Sequence, residues 1–295
     1  MSETAIRGRF QWVVYAALAA GVCVPSADAA TRRFDRVVFV PFAGGNVNVV
    51  ALNNAGQVAG DSGGMSVNNR QAFISNSSGV LVNINTLGLS HSRAAAISDA
   101  GHIVGTGCIM NGENCQPVAF RYSVGSGMID LGTPVGGKGV DITGVNVHGD
   151  VTGHWMVGED TIPQAFLFTT GNGMQDLGSL GNGWTLPNAI NDDRVIVGQS
   201  RFGTLPSHHH AIRWQTETMT DLGTFGGIAS AAADVNSAGT VVGWALDAGF
   251  NGRAFVFNEK DGMQPLPVPS DATSSAAMAI NDAGMILVSF IREDL

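Results

Sequence analysis

Three groups of residues in this sequence have types and spacings that could do chemistry. The pentad Gly60-Asp61-Ser62-Gly63-Gly64 has the form that presents a nucleophilic serine in serine hydrolases. His208-His209-His210 is a run of possible metal ligands. An aspartate recurs before Leu-Gly as Asp130, Asp176 and Asp221, and carboxylates can bind calcium or act as general acids and bases.

Each group also has a structural interpretation, which we favour. A catalytic serine needs a histidine oriented by an acid and, in the esterase form, a strand-to-helix turn, and neither pattern accompanies Ser62. Adjacent histidines surround a metal ion poorly, so residues 208–210 predict no metal site. Asp130, Asp176 and Asp221 recur in one register, which indicates side chains that bond nearby backbone. We therefore expect no catalytic residue and no metal among these groups.

Composition excludes some classes of partner. The 295 residues carry a net charge of −9 and only two lysines, Lys138 and Lys260, so a nucleic-acid partner is not expected. Apolar residues are 44% and charged residues 13%, which predicts a large core rather than disorder.

Residues 1–30 have the layout of a signal peptide. Arg7 and Arg9 precede an apolar stretch over residues 12–24, and Ala27-x-Ala29 matches a cleavage site. The stretch is short for a membrane span, although an uncleaved anchor is the alternative. We expect a secreted or periplasmic protein with no membrane span after cleavage. In such a protein Cys23 is removed with the signal, and Cys108 and Cys115 are expected to form a disulfide. A metal site would need more cysteine or histidine ligands at matching spacing, and none are expected nearby.

A repeat of about 45 residues organises the rest of the chain. Its first block, as in "AINDAGMILV" from Ala279, has an Asn or Ser at its third position, and the six copies are Asn53, Ser98, Asn146, Asn191, Asn236 and Asn281. The one spacing of 48 rather than 45 residues includes the cysteine loop. A second block ("QAFLF", "HAIRW") and a third ("GMQDLG") follow in each complete copy.

These blocks predict four short strands per repeat. Small and apolar residues alternate before the Asn, and sequences of the Asn-Asp-Ala-Gly type favour a turn. Segments rich in β-branched and aromatic residues follow, as expected for strands. Four strands in one tandem unit are typical of a β-propeller blade, so we predict a single all-β propeller domain over residues 31–295. Six blades are expected, with a strand near residues 37–40 closing the last one; five blades with frayed ends are the alternative.

The three blocks in register resemble the HAF-repeat family of bacterial exported proteins, over about residues 36–290. Only His210 keeps the histidine of the motif, since Gln71, Val118, Gln164 and Arg253 replace it. The resemblance implies an extracellular repeat protein and no established reaction. A histidine replaced in four repeats is no obligatory catalytic group.

Function is expected where the repeats differ. The polar candidates near the first strands are Arg93, Asp141, Asn188 and Asp234, and Trp155 and Trp244 are candidates for stacking on a sugar. We expect a non-enzymatic exported module without a cofactor, binding a glycan or another envelope or extracellular protein. The alternative is an exported hydrolase or lyase that uses Arg93, Asp141 and Asp234 at the mouth of the propeller channel.

Overall fold

The structure is a computed structural model. It describes residues 13–16, 46–63, 70–76, 80–84, 87–132, 137, 139–158, 162–181, 183–203, 205 and 207–292. Among these residues there are 23 strands and no helix. No helix of the described chain is long and apolar enough to cross a membrane.

Five consecutive units have four strands each, hydrogen-bonded antiparallel in chain order. The first is β2 (Asn46–Leu52), β3 (Val58–Gly63), β4 (Gln71–Ser75) and β5 (Leu81–Asn83). The second is β6 (His91–Ile97), β7 (Ile103–Asn111), β8 (Asn114–Ser123) and β9 (Gly127–Asp130). The third is β10 (Val140–Val145), β11 (Val151–Val157), β12 (Ile162–Thr169) and β13 (Gly173–Asp176).

The fourth and fifth units follow the same order. The fourth is β14 (Thr185–Ile190), β15 (Ile196–Arg201), β16 (His209–Gln215) and β17 (Thr218–Gly223). The fifth is β18 (Gly226–Val235), β19 (Val241–Asp247), β20 (Gly252–Asn258) and β21 (Gly262–Pro265). A single parallel pair, His209 with Ala229, links these two units. The predicted all-β architecture with one four-stranded sheet per repeat is confirmed.

The last sheet contains three described strands. β22 (Ala272–Ile280) pairs with β23 (Met285–Arg292), and β1 (Val13–Ala16) pairs with the other edge of β23, from Val13 opposite Val288 to Ala16 opposite Met285. The closing strand expected near residues 37–40 lies outside the described residues. Strand β1 falls within the predicted signal peptide, and both that peptide and the count of six blades stay predictions.

The first strands of successive units pack side by side from β2 to β22. Each of these strands carries a β-bulge at one register position, where two residues of the first strand span one step of the second. The inserted residues are Val50, Ala95, Thr143, Asn188, Ala233 and Met278. A bulge bends the strand and increases its twist, so every unit is bent at the same place.

The turn after each first strand is built as the sequence predicts. The side-chain oxygen of the third-position Asn or Ser accepts the backbone N–H four residues later in all six copies, as in Val195 N to Asn191 Oδ1 at 2.8 Å. The glycine of the turn has a positive φ, for example 76° at Gly239, and Arg194 takes φ 60° where the fourth repeat lacks it. The Asn side chains therefore hold the turn shape that the glycine permits.

The same asparagines also join neighbouring units. The Nδ2 groups of Asn53, Asn146, Asn191 and Asn236 donate to the backbone oxygen of the equivalent residue in the next repeat, at 2.9–3.3 Å. Ser98 has no amide to continue the series. A single buried side chain thus closes its own turn and bonds the next unit.

The repeated aspartates are structural, as predicted. Asp130, Asp176 and Asp221 each accept the backbone N–H of the glycine two residues later at 2.8 Å. The carboxylate of Asp221 also contacts Nδ1 of His210 at 2.8 Å, so the one motif histidine of the chain bonds across to the neighbouring strand.

The cysteine loop is the hairpin of β7 and β8, which are 9 and 10 residues long. Most of the extra length of the longer spacing lies here. Cys108 and Cys115 form a disulfide with their Cα atoms 5.5 Å apart, which confirms the predicted pairing.

Candidate functional site

A cavity of about 450 Å³ lies beside the first strands of the first three units. Its polar lining consists of Asn48 on β2, Arg93 on β6, Thr106 on β7 and Asp141 on β10. The structure therefore brings two of the predicted site residues, Arg93 and Asp141, into one cavity. The rest of the lining is apolar: Val49, Val50, Ala94, Ala95 and Ile142.

The polarity of this cavity breaks the repeat symmetry. Asn48, Arg93 and Asp141 all stand five residues before the turn Asn or Ser. The same position in the other three repeats holds Leu186, Ala231 and Ala276. At this position polar side chains are thus confined to the first three repeats. Sequence reasoning missed Asn48 and Thr106, although aligning this column would have found Asn48.

The pentad of residues 60–64 supports the cavity through Asp61, and its described residues form no strand-to-helix turn. Its described part lies in β3, where the Asp61 side chain is buried and accepts Asn48 Nδ2 at 3.0 Å and Arg70 Nη1 at 3.2 Å. Ser62 lies on the same strand, opposite Val47 and Gln71. Asp61 and Arg70 therefore fix the Asn48 amide at the cavity.

Arg93 and Asp141 differ in how they are held. Arg93 is exposed, and no described residue gives its guanidinium a hydrogen bond or ion pair. The Asp141 side chain is 70% exposed, and its Oδ2 lies 3.7 Å from Nε2 of His154 on the neighbouring strand. The cavity thus contains the Arg93 guanidinium, which has no partner among the described residues, and the Asp141 carboxylate, which has one long contact.

His154 lies behind Asp141 with only 12% of its side chain exposed. Burial lowers the pKa of this imidazole, and the Asp141 carboxylate acts in the opposite direction. Its Nδ1 is buried without a hydrogen-bond partner among the described residues. Burial therefore disfavours the charged form of this ring, and the ring is not part of the cavity lining.

Asn188 and Asp234 do not join the cavity lining. Asn188 donates to the Ala232 carbonyl at 2.7 Å. The Asp234 carboxylate accepts the N–H groups of Val235 and Ile280, at 2.8 and 2.9 Å. Burial raises the pKa of Asp234 despite these donors. Both side chains link backbone within and between the fourth, fifth and sixth repeats, so the expected cluster of Arg93, Asp141 and Asp234 is reduced to its first two members.

The two tryptophans have different environments. Trp155 is 5% exposed and stacks on Phe166 with 5.7 Å between ring centroids, so its ring is packed in the core and not presented to a ligand. Trp244 is half-buried, and its ring lies edge-to-face with that of His209 at 6.0 Å between centroids. The Trp184 ring centroid lies 6.1 Å from that of the same imidazole. The pairing of Trp184 with Trp244 through His209 was not foreseen from sequence.

The consecutive histidines do not converge. His209 is close to both tryptophan rings, whereas His210 stacks on Phe202 at 4.3 Å and bonds Asp221. Among the described residues, the one group of three close ligand atoms is His91, Cys108 and Cys115. The expectation that no histidine lies near the cysteines is therefore wrong, because the pairing of β6 with β7 sets His91 opposite Cys108.

The succession of four-stranded antiparallel sheets with adjoining first strands defines the class of this protein as a β-propeller. No protein-family model matches the sequence, and no curated protein does. The structure is similar to TolB from Acinetobacter baumannii (12% identity, 81% of this chain and 64% of that chain, TM-score 0.47). It is also similar to the protein assigned as TolB in Agrobacterium tumefaciens (12% identity, 84% and 91%, TM-score 0.48) and to the Pyrococcus horikoshii acylaminoacyl peptidase (10% identity, 84% and 46%, TM-score 0.52).

Acid is expected to destabilise this fold because burial lowers the pKa of His102, His154 and His209. The unfolded chain has the ordinary pKa of 6.5, so below that pH it binds more protons than the folded chain. The free energy of unfolding should fall as the pH drops through 6.5 and level off below the folded pKa values. Urea denaturation from about pH 8 to about pH 5 measures this.

His154→Gln should reduce this fall in the free energy of unfolding. His148→Gln, at an exposed turn position, is the control for the substitution itself. A fall of the same size in the His154 variant would contradict the assignment to this residue.

Proposed function

We propose that this protein is an exported, non-enzymatic binding module that takes an acidic sugar in the cavity of Arg93 and Asp141. The observation that carries the proposal is a guanidinium without a partner among the described residues, placed in a cavity of about 450 Å³. A cavity of this size fits a small ligand.

The chemistry of the lining favours this ligand class. The Arg93 guanidinium presents a fork of donors that matches a carboxylate. Asp141 accepts from hydroxyl groups, and the Asn48 amide, held by Asp61, can bond a ring or hydroxyl oxygen. A sugar acid carries one carboxylate and several hydroxyls, so it pairs with each of these groups. Apolar residues beside them cover the less polar face of a sugar ring.

Binding is favoured over catalysis by the count of acids. Asp141 is the one carboxylate in the described lining. Most glycosidases need two, flanking the bond that breaks. With one exposed acid and a covered imidazole behind it, the cavity can orient a ligand more readily than it can cleave one.

The proposal is tested by calorimetric titration of the full chain with oligosaccharides of galacturonic acid and, for comparison, of neutral glucose. We expect the acidic series alone to bind, and Arg93→Ala to weaken it about tenfold to a hundredfold, the loss of one charged hydrogen-bonding group. Arg93→Lys should recover part of the loss.

Arg292→Ala is the matched control, since that arginine pairs with Asp271 in the last sheet. Equal binding by wild type and Arg93→Ala, or no binding of acidic oligosaccharides by wild type, would refute the proposal.

A lyase is the second candidate, and the Asp141–His154 pair favours it. The exposed Asp141 carboxylate, with the His154 imidazole 3.7 Å behind it, could remove the proton next to the sugar carboxylate while Arg93 neutralises that carboxylate. As the double bond forms, the adjoining carbon–oxygen glycosidic bond breaks, and the departing sugar leaves as an alcohol after its oxygen takes a proton from water. Ultraviolet absorbance detects the unsaturated sugar acid that remains. Release of this product by wild type, lost in His154→Gln while binding persists, would replace the binding module with the enzyme.

Export is proposed from two features. The sequence begins with the signal-peptide pattern of residues 1–30, and the Cys108–Cys115 disulfide suits an oxidising compartment. The intact mass of the chain recovered from the cell envelope or medium tests cleavage near residue 29. Another envelope or extracellular protein is the alternative partner.

A further inference from the structure

The hairpin of β7 and β8 brings soft metal ligands together. The ligand atoms of His91, Cys108 and Cys115 lie within 4.8 Å of one another. The Met110 thioether sulfur is 3.7 Å from the Cys108 sulfur. We propose that reduction of the Cys108–Cys115 disulfide creates a Cu(I) site of two thiolates, the His91 imidazole and the Met110 thioether.

The position of His91 follows from the register of the sheet. His91 is opposite Cys108 in the β6–β7 pair, and Met110 is opposite Cys115 in the β7–β8 hairpin. Two antiparallel pairings therefore carry four ligand side chains from two sequence segments to one place. This hairpin is longer than its counterparts, and the other repeats contain no cysteine, so they have no equivalent group.

Ser90 sets the tautomer of His91. The Ser90 hydroxyl donates to the Cys108 carbonyl at 3.0 Å and lies 3.2 Å from His91 Nδ1. Because its one proton is used on the carbonyl, the hydroxyl accepts from Nδ1–H, and we assign the proton to that nitrogen. The Nε2 lone pair is then left for a metal. Such outer hydrogen bonds orient metal-binding histidines.

The site is open to reagents on one side. Cys108 is fully buried, whereas Cys115 is exposed and Met110 is 49% exposed. A thiolate reductant can therefore reach the Cys115 sulfur. The buried Cys108 sulfur and the half-buried His91 form the inner side of the site.

The reaction balances with a dithiol as the reductant. The dithiol gives two electrons and two protons to the S–S bond and closes its own disulfide, which leaves two cysteine thiols. Each thiol loses its proton when its sulfur binds the metal. The disulfide and the metal complex exclude each other, because the same two sulfurs form both.

The donor set selects the ion. Thiolate and thioether sulfurs are soft ligands and favour Cu(I), and imidazole also suits copper. Zinc seldom takes a thioether, since its sites are made of thiolates, imidazoles and carboxylates. The Met110 thioether is therefore the feature that distinguishes a Cu(I) site from a zinc site.

The experiment titrates the full chain, reduced by a dithiol and desalted without oxygen, with Cu(I) held by a chromogenic competitor. We expect the reduced chain to take one Cu(I) at this site and the oxidised chain to take none there. Ser90→Ala should weaken binding about tenfold, and His91→Gln and Met110→Leu should each weaken Cu(I) binding, His91→Gln by more than Ser90→Ala. These three variants keep the disulfide, and circular dichroism checks that they fold as the wild type does.

The double variant Cys108→Ser/Cys115→Ser should lose the site, and His208→Ala/His209→Ala should keep it. Equal Cu(I) binding by oxidised and reduced chains would overturn the proposal, as would binding unaffected by His91→Gln and Met110→Leu. Zn²⁺ binding as tight as Cu(I) in the reduced chain, unchanged in Met110→Leu, would exclude the thioether. Loss of the β-sheet circular dichroism on reduction would also defeat the proposal, since the site needs the folded hairpin.

Discussion

Gly243→Ala is expected to lower the free energy of unfolding by about 3 kcal/mol or more, the upper range for overpacking a core. A Cβ at Gly243 would lie 2.1 Å from the Ala231 carbonyl oxygen and 2.9 Å from the Phe255 ring. The bulged first strand carries that oxygen against the second strand, and the third strand supplies the ring. Neither neighbour can retreat, because one is backbone and the other is fully buried.

Gly171→Ala is the matched control, because a Cβ there meets nothing within 4 Å and the backbone has no positive φ. Urea denaturation should show a change within about 0.5 kcal/mol for this surface variant. If Gly243→Ala lowered the free energy of unfolding as little as Gly171→Ala, the bulge would be able to relax, and the close packing of Gly243 would not limit the side chain there.

The same close packing is found in the other four four-stranded units. The equivalent glycines, Gly60, Gly105, Gly153 and Gly198, also meet the carbonyl oxygen of a first-strand residue, at 2.0–2.2 Å. In three of these four repeats the opposing ring is the buried phenylalanine of the second block, and the fourth repeat has Ile212 there. The glycine that ends "VVG" and the Phe of the "HAF" block are therefore one packing unit.

Asn191→Ala is expected to lower the free energy of unfolding by about 3 kcal/mol, since it leaves buried backbone groups without partners. Asn191 is 6% exposed, accepts the Val195 N–H at 2.8 Å and donates to the Asn236 carbonyl at 2.9 Å. Alanine removes the turn bond and the bond to the next unit together. The midpoint and slope of urea denaturation measure the loss.

Asn281→Ala provides the comparison. Asn281 makes the same turn bond, to Met285 at 2.9 Å, but is exposed, and no described bond leads from its side chain to another unit. Asn281→Ala should lower the free energy of unfolding by about 1 kcal/mol. Equal losses at the two positions would show that the bond between units contributes nothing.

Much of the fold was readable from local patterns. The Asn-Asp-Ala-Gly blocks specify a turn because the side-chain oxygen and the positive-φ residue act within five residues. The aspartates before Leu-Gly bond a backbone N–H two residues away, and the insertion of the longer repeat was placed correctly at the cysteines. Each of these interactions is short in sequence, so the residues that make it stand together in the chain.

The candidate site was only half predictable. Arg93 and Asp141 were selected because they interrupt a repeated pattern, and they do share a cavity. Asp234 was selected for the same reason, but its carboxylate bonds the backbone of the next repeat. An interrupted pattern shows that a residue has a particular role, and it does not show whether the partner is a ligand or the protein itself.

The sequence by itself determined the repeat, its four strands, the turn chemistry and the disulfide, because these depend on residue types at short, fixed spacings. Only the tertiary structure decided that Asn48, Arg93 and Asp141 share one cavity wall, that Trp155 is buried, and that His91 meets the cysteines. Those contacts join residues from different strands or repeats. They depend on strand register and on the packing of one unit against the next, which no local pattern encodes.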